Sequence, residues 1–505
     1  MARIPRRVVL AGTAATVIAS RPTSRAAAAP FVGAGAGAAS AAGAPGGIDA
    51  DAIPSGDEIY DWIATVFEQG IRRPGYPADE WAIDWIVERF TEFGLENVRT
   101  EPIPAVRWEP LEWSLDVTTA AGETRALECF PMPFTPAVDE LDVELAAWNP
   151  EDRGAVAGKA CLFDNGLLRV PPDIFVGNGS APEDLTGRVY DPDGTFEGSE
   201  HVLPFGAALQ DVVEPFAAEG AVAVIGMLSA YPGNSVEYYV PYTGEQHSTP
   251  GVWVAGPDGE WLTEQLAAGG VRVRLTVRSS REDITSANVI GELPGADDEI
   301  AVIGSHHDGP WASAVEDGSG ISLVLAQAKF WAAQPVERRP HRLMFLLQGG
   351  HMSGGSGIGA FLEAHQEELD RYVMELHLEH ACLDFTEQDG ELVSTGQCVP
   401  RWWFVSRIPP LEDAVIDALA AEHLTRSTVL APDAIGEAPP TDGSGFFRAG
   451  VPAVSFLSAP FYLFDSIDTL DKIDRDNLVQ LTRAAIRIID STAGVSAAAM
   501  RAAHV

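Results

Sequence analysis

The chain has 505 residues, an apolar fraction of 46%, and a formal charge of −40 from 73 acidic and 33 basic side chains. This composition is globular and excludes a largely disordered chain, while the length exceeds one ordinary core and predicts more than one domain. Because such an acidic surface repels phosphate backbones, we expect no nucleic-acid partner.

The first fifty residues are expected to form an export signal followed by a flexible linker. Arg6 and Arg7 precede an apolar run over 8–19 and small residues over 26–29, which is the order of a secretory signal. We therefore expect an export signal over 1–30, a flexible linker over 31–50 that is rich in Gly and Ala, and a secreted or extracytoplasmic protein. The Arg pair favours the twin-arginine route, with an ordinary export signal as the alternative. No later run reaches the roughly 18 apolar residues that a membrane helix needs.

The next segment reads as the start of an α/β domain. Amphipathic helices are predicted over 55–70 and 79–94, followed by strand-like segments over 98–118. The pattern then changes to short strands and many turn residues over about 130–280, with one helix near 207–220 and a buried strand over 221–226. Four cysteines, at 129, 161, 382 and 398, permit two disulfides in an exported protein, and their pairing stays open.

From residue 287 onward, apolar strands alternate with amphipathic helices. The predicted strands span 288–293, 300–304, 343–347, 373–378 and 453–457, and the predicted helices 318–333, 354–368, 411–423 and 471–490. Such alternation predicts a mostly parallel mixed sheet covered by helices on both faces. We expect a catalytic domain from 51–128 plus 285–495, interrupted by a β-rich α/β insert over 129–284.

Candidate ligands for a metal follow the predicted strands at the edge where an α/β site belongs. They are His306, His307, Asp308, Glu316, Asp317, His351, Glu379 and His380. Each alone has an ordinary structural explanation, such as a hydrogen-bonded His or an acid at a helix start. Together they are a donor set that suits zinc or a similar ion, which would activate a bound water.

Several stretches resemble the zinc aminopeptidases and glutamate carboxypeptidases of metallopeptidase family 28. Those in the catalytic part are 287–295, 306–308, 316–320, 450–455 and 468–474. Those that are similar to the family's protease-associated insert are 158–160, 218–225 and 250–254. The resemblance implies a zinc-aminopeptidase-like fold over nearly all of 55–490.

The resemblance also implies roles for single residues. His306 matches the family's first metal ligand, and Asp308 the carboxylate that holds that His. Glu316 stands where the family has a bridging Asp, with Asp317 as the less favoured alternative, and Glu379 matches a later acidic ligand.

The family's second metal has no counterpart for its ligands, because Met352 and Phe464 stand at those positions. We therefore expect one ion per chain, zinc or another divalent metal. His351 aligns with the general base, and imidazole suits that task near neutrality; a fourth ligand of the ion is the alternative role for it.

These features predict an exported metallohydrolase that cleaves a small peptide, amide or related acyl substrate through a metal-activated water. A catalytically inactive binding protein is the alternative, as is a lyase or cyclase on the same scaffold. A serine hydrolase is disfavoured, since His351 stands where Gly-x-Ser-x-Gly requires its first glycine. The insert is expected to act as a lid or in substrate recognition, and the oligomeric state is left open.

Overall fold

The computed structural model describes residues 48–172, 187–204 and 212–504. Within these residues the strands are β1 Glu96–Thr118, β2 Thr124–Leu127, β3 Phe130–Pro131, β4 Val138–Ala147, β5 Ala160–Asp164, β6 Arg169–Val170, β7 Arg188–Tyr190, β8 His201–Val202, β9 Ala223–Leu228, β10 Gly251–Ala255, β11 Arg272–Leu293, β12 Ile300–His306, β13 Arg342–Gln348, β14 Tyr372–Leu378, β15 Leu383–Gln388, β16 Glu391–Cys398, β17 Arg401–Val405, β18 Ser427–Leu430 and β19 Ala453–Ser458. The α-helices are α1 Gly56–Phe67, α2 Pro77–Phe93, α3 Glu214–Ala218, α4 Gly256–Ala268, α5 Gly320–Ala332, α6 Ser356–Ala364, α7 Pro409–Ala421, α8 Ser444–Arg448, α9 Leu478–Asp490 and α10 Ala497–Ala502.

Two long antiparallel strands connect the two halves of the sheet. β1 and β11 pair from Glu96 opposite Glu292 to Thr118 opposite Arg272. One end of β11 also pairs with β4, and its other end pairs with β13. The strands therefore join one large sheet in the order β3-β10-β9-β5-β4-β11-β13-β12-β14-β19-β17-β18-β7. The predicted boundaries of the insert fall between β2 and β3 and within β11.

The half of the sheet that carries the candidate residues is mostly parallel. β12 lies between β13 and β14 and is parallel to both, and β14 is parallel to β19. Side chains alternate along β12, so that Ala301 and Ile303 pack into one apolar cluster, whereas Ile300 and Val302 pack into another. The first cluster contains residues of α5, and the second contains residues of α6 and α8. Helices thus cover both faces, which confirms the predicted fold class.

Most predicted elements of this half form where the sequence places them, and two differ. The helix predicted from 471 begins only at Leu478, after 3-10 turns at Leu470–Lys472 and Arg475–Asn477. The Asp474 carboxylate accepts hydrogen bonds from Arg401 and from the side chain of Asn477, which fixes a turn in place of a helix start. The helix predicted near 207–220 is confined to α3 among the described residues, and part of that range lies outside them.

Three other predictions concern membrane spans, cysteines and the start of the chain. In the described parts of the chain, every helix is too short or too polar to span a bilayer. All four cysteines are buried thiols, and Cys398 lies opposite Leu383 in the β15–β16 hairpin. The predicted export signal and nearly all of the predicted linker lie outside the described residues.

Candidate functional site

The site lies at the carboxyl ends of three neighbouring parallel strands. β12 ends at His306, the turn after β13 carries His351, and Glu379 and His380 directly follow β14. Since parallel strands point the same way, their ends place these side chains at one edge of the sheet. All but His351 are 3% exposed or less, and His351 is the one that solvent reaches, with 15% of its side chain exposed.

Glu316 is the centre of the cluster. Its Oε1 lies 3.4 Å from His306 Nε2 and 3.7 Å from His351 Nε2, and its Oε2 lies 2.5 Å from His380 Nε2. Burial would raise the pKa of Glu316, but His380 and His306 outweigh burial and lower it. The same carboxylate contributes to raising the pKa of His380 to about 9 against the effect of burial. Glu316 is therefore a fixed negative charge surrounded by imidazoles.

The backbone on either side of Glu316 is held from two directions. Asp468 accepts hydrogen bonds from the amides of Val315 and Glu316, each at 2.9 Å. Arg72, in the loop before α2, donates to the carbonyls of His307, Ser313 and Glu316. Because Arg72 and Asp468 are fully buried, this loop is rigidly placed beneath the cluster.

His306 is oriented by Asp308, though not through the carboxylate that the sequence comparison implied. His306 Nδ1 donates to the backbone carbonyl of Asp308 at 2.9 Å, while the Asp308 carboxylate lies 4.0 Å away. That carboxylate instead accepts from the amides of His351 (3.1 Å) and Met352 (2.7 Å). Asp308 thus links the two histidine-bearing segments, and Nε2 of His306 is left facing Glu316.

His351 is oriented by Asp442, a residue at the start of α8. Asp442 Oδ1 lies 3.0 Å from His351 Nδ1, so Nε2 faces Glu316. Burial would lower the pKa of His351, but Asp442 and Glu316 outweigh burial and raise it to about 10. This arrangement holds His351 as a proton-carrying group at the exposed side of the cluster.

Glu379 and Asp317, the remaining predicted ligands, have partners of their own. Glu379 Oε1 accepts from His377 Nε2 at 2.7 Å, and His377 Nδ1 bonds to Glu375 at 2.8 Å, which forms a buried carboxylate–imidazole–carboxylate chain. Asp317 accepts from the Ser305 hydroxyl and, at 2.9 Å, from the amide of Gly320. Asp317 therefore shapes the turn into α5, while one Glu379 oxygen has no role in this chain.

The donor set suits a metal ion. Among the described residues, His306 Nε2, His380 Nε2 and Glu316 Oε2 are buried side-chain atoms that lie close to one another but make no hydrogen bond of good orientation. Such atoms are costly to bury unless something binds them. Ligand atoms of a tetrahedral zinc lie about 3.4 Å apart, which is the separation of His306 Nε2 from Glu316 Oε1.

Distance and orientation give different answers for His351. Donor atoms of His306, Glu316 and His351 all lie within 4.8 Å of one another, a set to which Glu379 does not belong. The rings of His306 and His351, however, stack with centroids 4.1 Å apart and planes only 7° from parallel. An imidazole lone pair lies in the ring plane, so an ion in the plane of one ring lies outside the plane of the other. Orientation therefore decides that only one of the two rings binds an ion in this conformation, and His306, fully buried beside Glu316, is that one.

Met352 and Phe464, which the sequence resemblance aligned with ligands of a second metal, are apolar and packed. Met352 is fully buried, and Phe464 is 3% exposed. The Phe464 ring packs against Tyr242 at 5.2 Å and Tyr238 at 6.2 Å, both of which belong to the predicted insert. These side chains offer no oxygen or nitrogen to a second ion.

Three residues near the cluster escaped the sequence reasoning. His380 was among the candidates without a role, although it directly follows Glu379. Asp442 begins a second copy of the tetrapeptide Asp-Gly-Ser-Gly that begins at Asp317, and that repetition was the available signal. Tyr242, which stacks on His351, has no sequence signal, because it reaches the site from a distant part of the chain.

A second group of His and acidic side chains lies at the opposite end of β12 and β13. It contains Asp297, Glu299 and His341. Both ring nitrogens of His341 have partners, the Asp297 carboxylate at 2.9 Å and the Thr492 carbonyl at 3.0 Å. This group is therefore a satisfied structural contact.

Comparison with known proteins agrees with the fold. Residues 288–489 match the model of peptidase family M28. No curated protein matches the sequence. A peptidase M28 precursor from Shewanella amazonensis has a similar structure, with a TM-score of 0.65, 20% identity, and coverage of 87% of this chain and 94% of the other.

Two further solved structures share the fold. An aminopeptidase from Aneurinibacillus sp. strain AM-1 has a TM-score of 0.56 at 19% identity, with 87% of this chain and 94% of the other covered. A zinc aminopeptidase from Bacillus subtilis has a TM-score of 0.58 at 17% identity, with 86% and 95% covered. At these identities the structures establish the fold, and the family model confirms the resemblance seen in the sequence.

Proposed function

Residues 288–489 carry the domain of peptidase family M28, and from that premise we propose that this chain is a metal-dependent peptidase or amidase that works with a single metal ion. The observation that carries the proposal is the buried cluster around Glu316, in which His306 Nε2 and a Glu316 oxygen lie close to neighbouring donor atoms without a well-oriented hydrogen bond. The zinc aminopeptidase of similar fold makes zinc the first ion to test. Export, predicted from the first residues, is part of the same proposal.

We assign the ion to His306, Glu316 and Glu379. His306 and Glu316 stand at the separation that two ligands of one ion require. Glu379 has one oxygen fixed by His377, as carboxylate ligands commonly have, and its other oxygen is available. Met352 and Phe464 are the reason for expecting one ion, because they replace ligands by buried apolar groups.

The bound ion would supply a water of lowered pKa and would polarise the scissile carbonyl. His351 stands beside the ligands, with Nε2 toward Glu316 and part of its ring in solvent. A cation bound to Glu316 would offset the carboxylates that raise the pKa of His351, so that Nε2 of the neutral ring could take a proton from the attacking water and deliver it to the leaving nitrogen. Glu316 and Asp442 hold the charge that His351 carries in between. The Tyr242 ring stacks on His351 and packs against Phe464, so these two rings form an apolar side of the cluster.

The test is elemental analysis of the purified protein, together with hydrolysis of leucine p-nitroanilide, N-acetyl-leucine p-nitroanilide and short peptides. We expect about one metal atom per chain, and activity that chelation removes and zinc restores. His306→Ala should lose both, whereas His341→Gln, in the other His–carboxylate group, should keep both. Two atoms per chain would contradict the single-ion site. No bound metal after zinc incubation would favour a catalytically inactive binding protein.

A further inference from the structure

The ring of His351 is constrained on more than one side. Its Nδ1 bonds to Asp442, and its plane is parallel to the His306 ring within 7°. The ring of Tyr242 also stacks on it, with centroids 5.5 Å apart and an interplanar angle of 24°. A surface histidine that served only packing would have no need of a buried carboxylate and two stacked rings.

Asp442 is itself fixed by its surroundings. It is 7% exposed, and the next residue, Gly443, lies against the sheet: a Cβ there would come within 2.6 Å of Ser455 Oγ and 2.9 Å of Glu375 Oε2. The backbone carbonyl of Asp442 accepts a hydrogen bond from the amide of Gly445 in α8. The carboxylate therefore meets His351 from a rigid turn.

Tyr242 lies on a segment that we call the strap, residues 239–247. The strap is tied at both ends by backbone hydrogen bonds, from Tyr239 N to the Phe464 carbonyl and from His247 N to the Phe134 carbonyl, each at 2.9 Å. Between them, Arg281 donates to the Gly244 carbonyl at 3.2 Å. The strap thus brings a ring from the predicted insert onto a side chain of the catalytic half.

We propose that Asp442 and Tyr242 are positioning residues for His351, the first fixing which ring nitrogen carries the proton and the second fixing the plane of the ring. This inference rests on the proposed function of His351 as the proton-transfer group. With the proton on Nδ1 donated to Asp442, the lone pair of Nε2 points toward Glu316 and the attacking water. When a water O–H bond breaks, the water oxygen bonds to the scissile carbonyl carbon and the proton forms the Nε2–H bond; that proton then passes to the leaving nitrogen as the C–N bond breaks. Nδ1–H stays on the ring throughout.

The first test is Asp442→Asn, which keeps the shape but replaces the acceptor by an amide that can donate to Nδ1. We expect kcat to fall on the order of 10²-fold or more, with KM and metal content unchanged. The matched control is Asp433→Asn in the same loop, whose carboxylate pairs with Arg407 at 2.6 Å, and it should keep wild-type kcat.

The second readout needs no activity. In protein labelled with 15N-histidine, the two ring nitrogens of His351 report which of them carries the proton, and His351→Gln assigns the signals. We expect Nδ1 to carry it in the wild-type protein and a changed pattern in Asp442→Asn. An unchanged pattern, with unchanged kcat, would overturn the role of Asp442. Loss of metal in Asp442→Asn would overturn it too, since His351 would then be a ligand.

The third test concerns the strap. Tyr242→Ala should lower kcat roughly 10- to 100-fold through misplacement of the ring, whereas Tyr242→Phe, which keeps the ring, should restore wild-type kcat. Glu245→Ala, an exposed strap residue, is the control. Equal kcat for Tyr242→Ala and the wild type would overturn the role of Tyr242.

If the wild-type protein hydrolyses no substrate, the proposed function fails. The labelled-histidine spectra of Asp442→Asn and Tyr242→Ala still decide whether these residues position His351.

Discussion

His306 and His351 lie face to face, with ring centroids 4.1 Å apart and planes 7° from parallel, although they come from two different strand ends. Each has its Nδ1 hydrogen-bonded, His306 to the carbonyl of Asp308 and His351 to the carboxylate of Asp442. Both Nε2 atoms therefore face Glu316. Because the rings are parallel, one ion cannot lie in both ring planes, so the pair divides into a ligand and a neighbour.

The first prediction follows from this division. His351→Gln should retain about one metal atom per chain and lose hydrolysis, whereas His306→Gln should lose the metal. The physical reason is that the two rings are parallel, so an ion in the plane of the His306 ring would lie outside the plane of the His351 ring. Elemental analysis after dialysis against metal-free buffer makes the measurement. Loss of metal in His351→Gln would show that the ring leaves its stack to bind the ion.

A second prediction concerns the buried chain Glu375–His377–Glu379. His377→Gln should weaken zinc binding by about 10- to 100-fold, because the Glu379 carboxylate loses the hydrogen bond that orients it as a ligand. A competition titration with a chromogenic chelator measures the affinity. The control is His365→Gln, since His365 pairs with Glu101 and Glu368 away from the cluster. Unchanged affinity in His377→Gln would argue that Glu379 does not bind the ion.

The sequence was sufficient for the parts of the site that local patterns dictate. His306 ends an apolar strand, Glu379 follows one, and Glu316 lies in the segment that leads into α5; parallel strands bring the residues at their ends to one edge of the sheet. Residues that act from another segment were harder to predict. Asp442 meets His351 across 91 positions of sequence, and Tyr242 reaches it from the predicted insert, so their contacts depend on tertiary packing that no local period records.

The fold shows the same limit at two elements. The helix expected from 471 begins at Leu478, because the side chain of Asp474 is held by Arg401, which lies on a strand that the apolar pattern did not reveal. That strand, β17, carries Trp402 and Trp403, which are buried in the core at 1% and 0% exposure. A long-range ion pair and a short strand inside the sheet were thus the features that local patterns missed.

A third prediction concerns the turn that carries His351, and it is tested by substituting two glycines of α6. A Cβ at Gly357 would lie 2.2 Å from the carbonyl oxygen of Gly349 and 2.6 Å from Asn288 Oδ1, whereas a Cβ at Gly359 meets nothing within 4 Å. Gly357→Ala should therefore destabilise the protein by about 1–3 kcal/mol through overpacking. Gly359→Ala, the matched control in the same helix, should stabilise it by roughly 0.5–1 kcal/mol. Urea unfolding gives both values, and equal midpoints would contradict this packing.

The last prediction concerns His201, a fully buried residue whose ring packs edge-on against Trp402. Burial, with the nearby charge of Arg426, lowers the pKa of His201 from its ordinary 6.5 to about 3. Below pH 6.5 the unfolded chain takes up a proton that the folded protein refuses until about pH 3. Stability contributed by neutral His201 is thus present above pH 6.5 and falls by about 1.4 kcal/mol for each pH unit below it.

His201→Phe removes this proton uptake, so its free energy of unfolding should fall less steeply than that of the wild type between pH 6.5 and pH 4. His504→Phe, at an exposed histidine near the end of the chain, is the control and should follow the wild-type curve. Urea unfolding at half-unit pH steps gives the slopes. Parallel curves for His201→Phe and the wild type would mean that His201 becomes protonated within the folded protein over this range, and that its surroundings open far enough to hydrate an imidazolium.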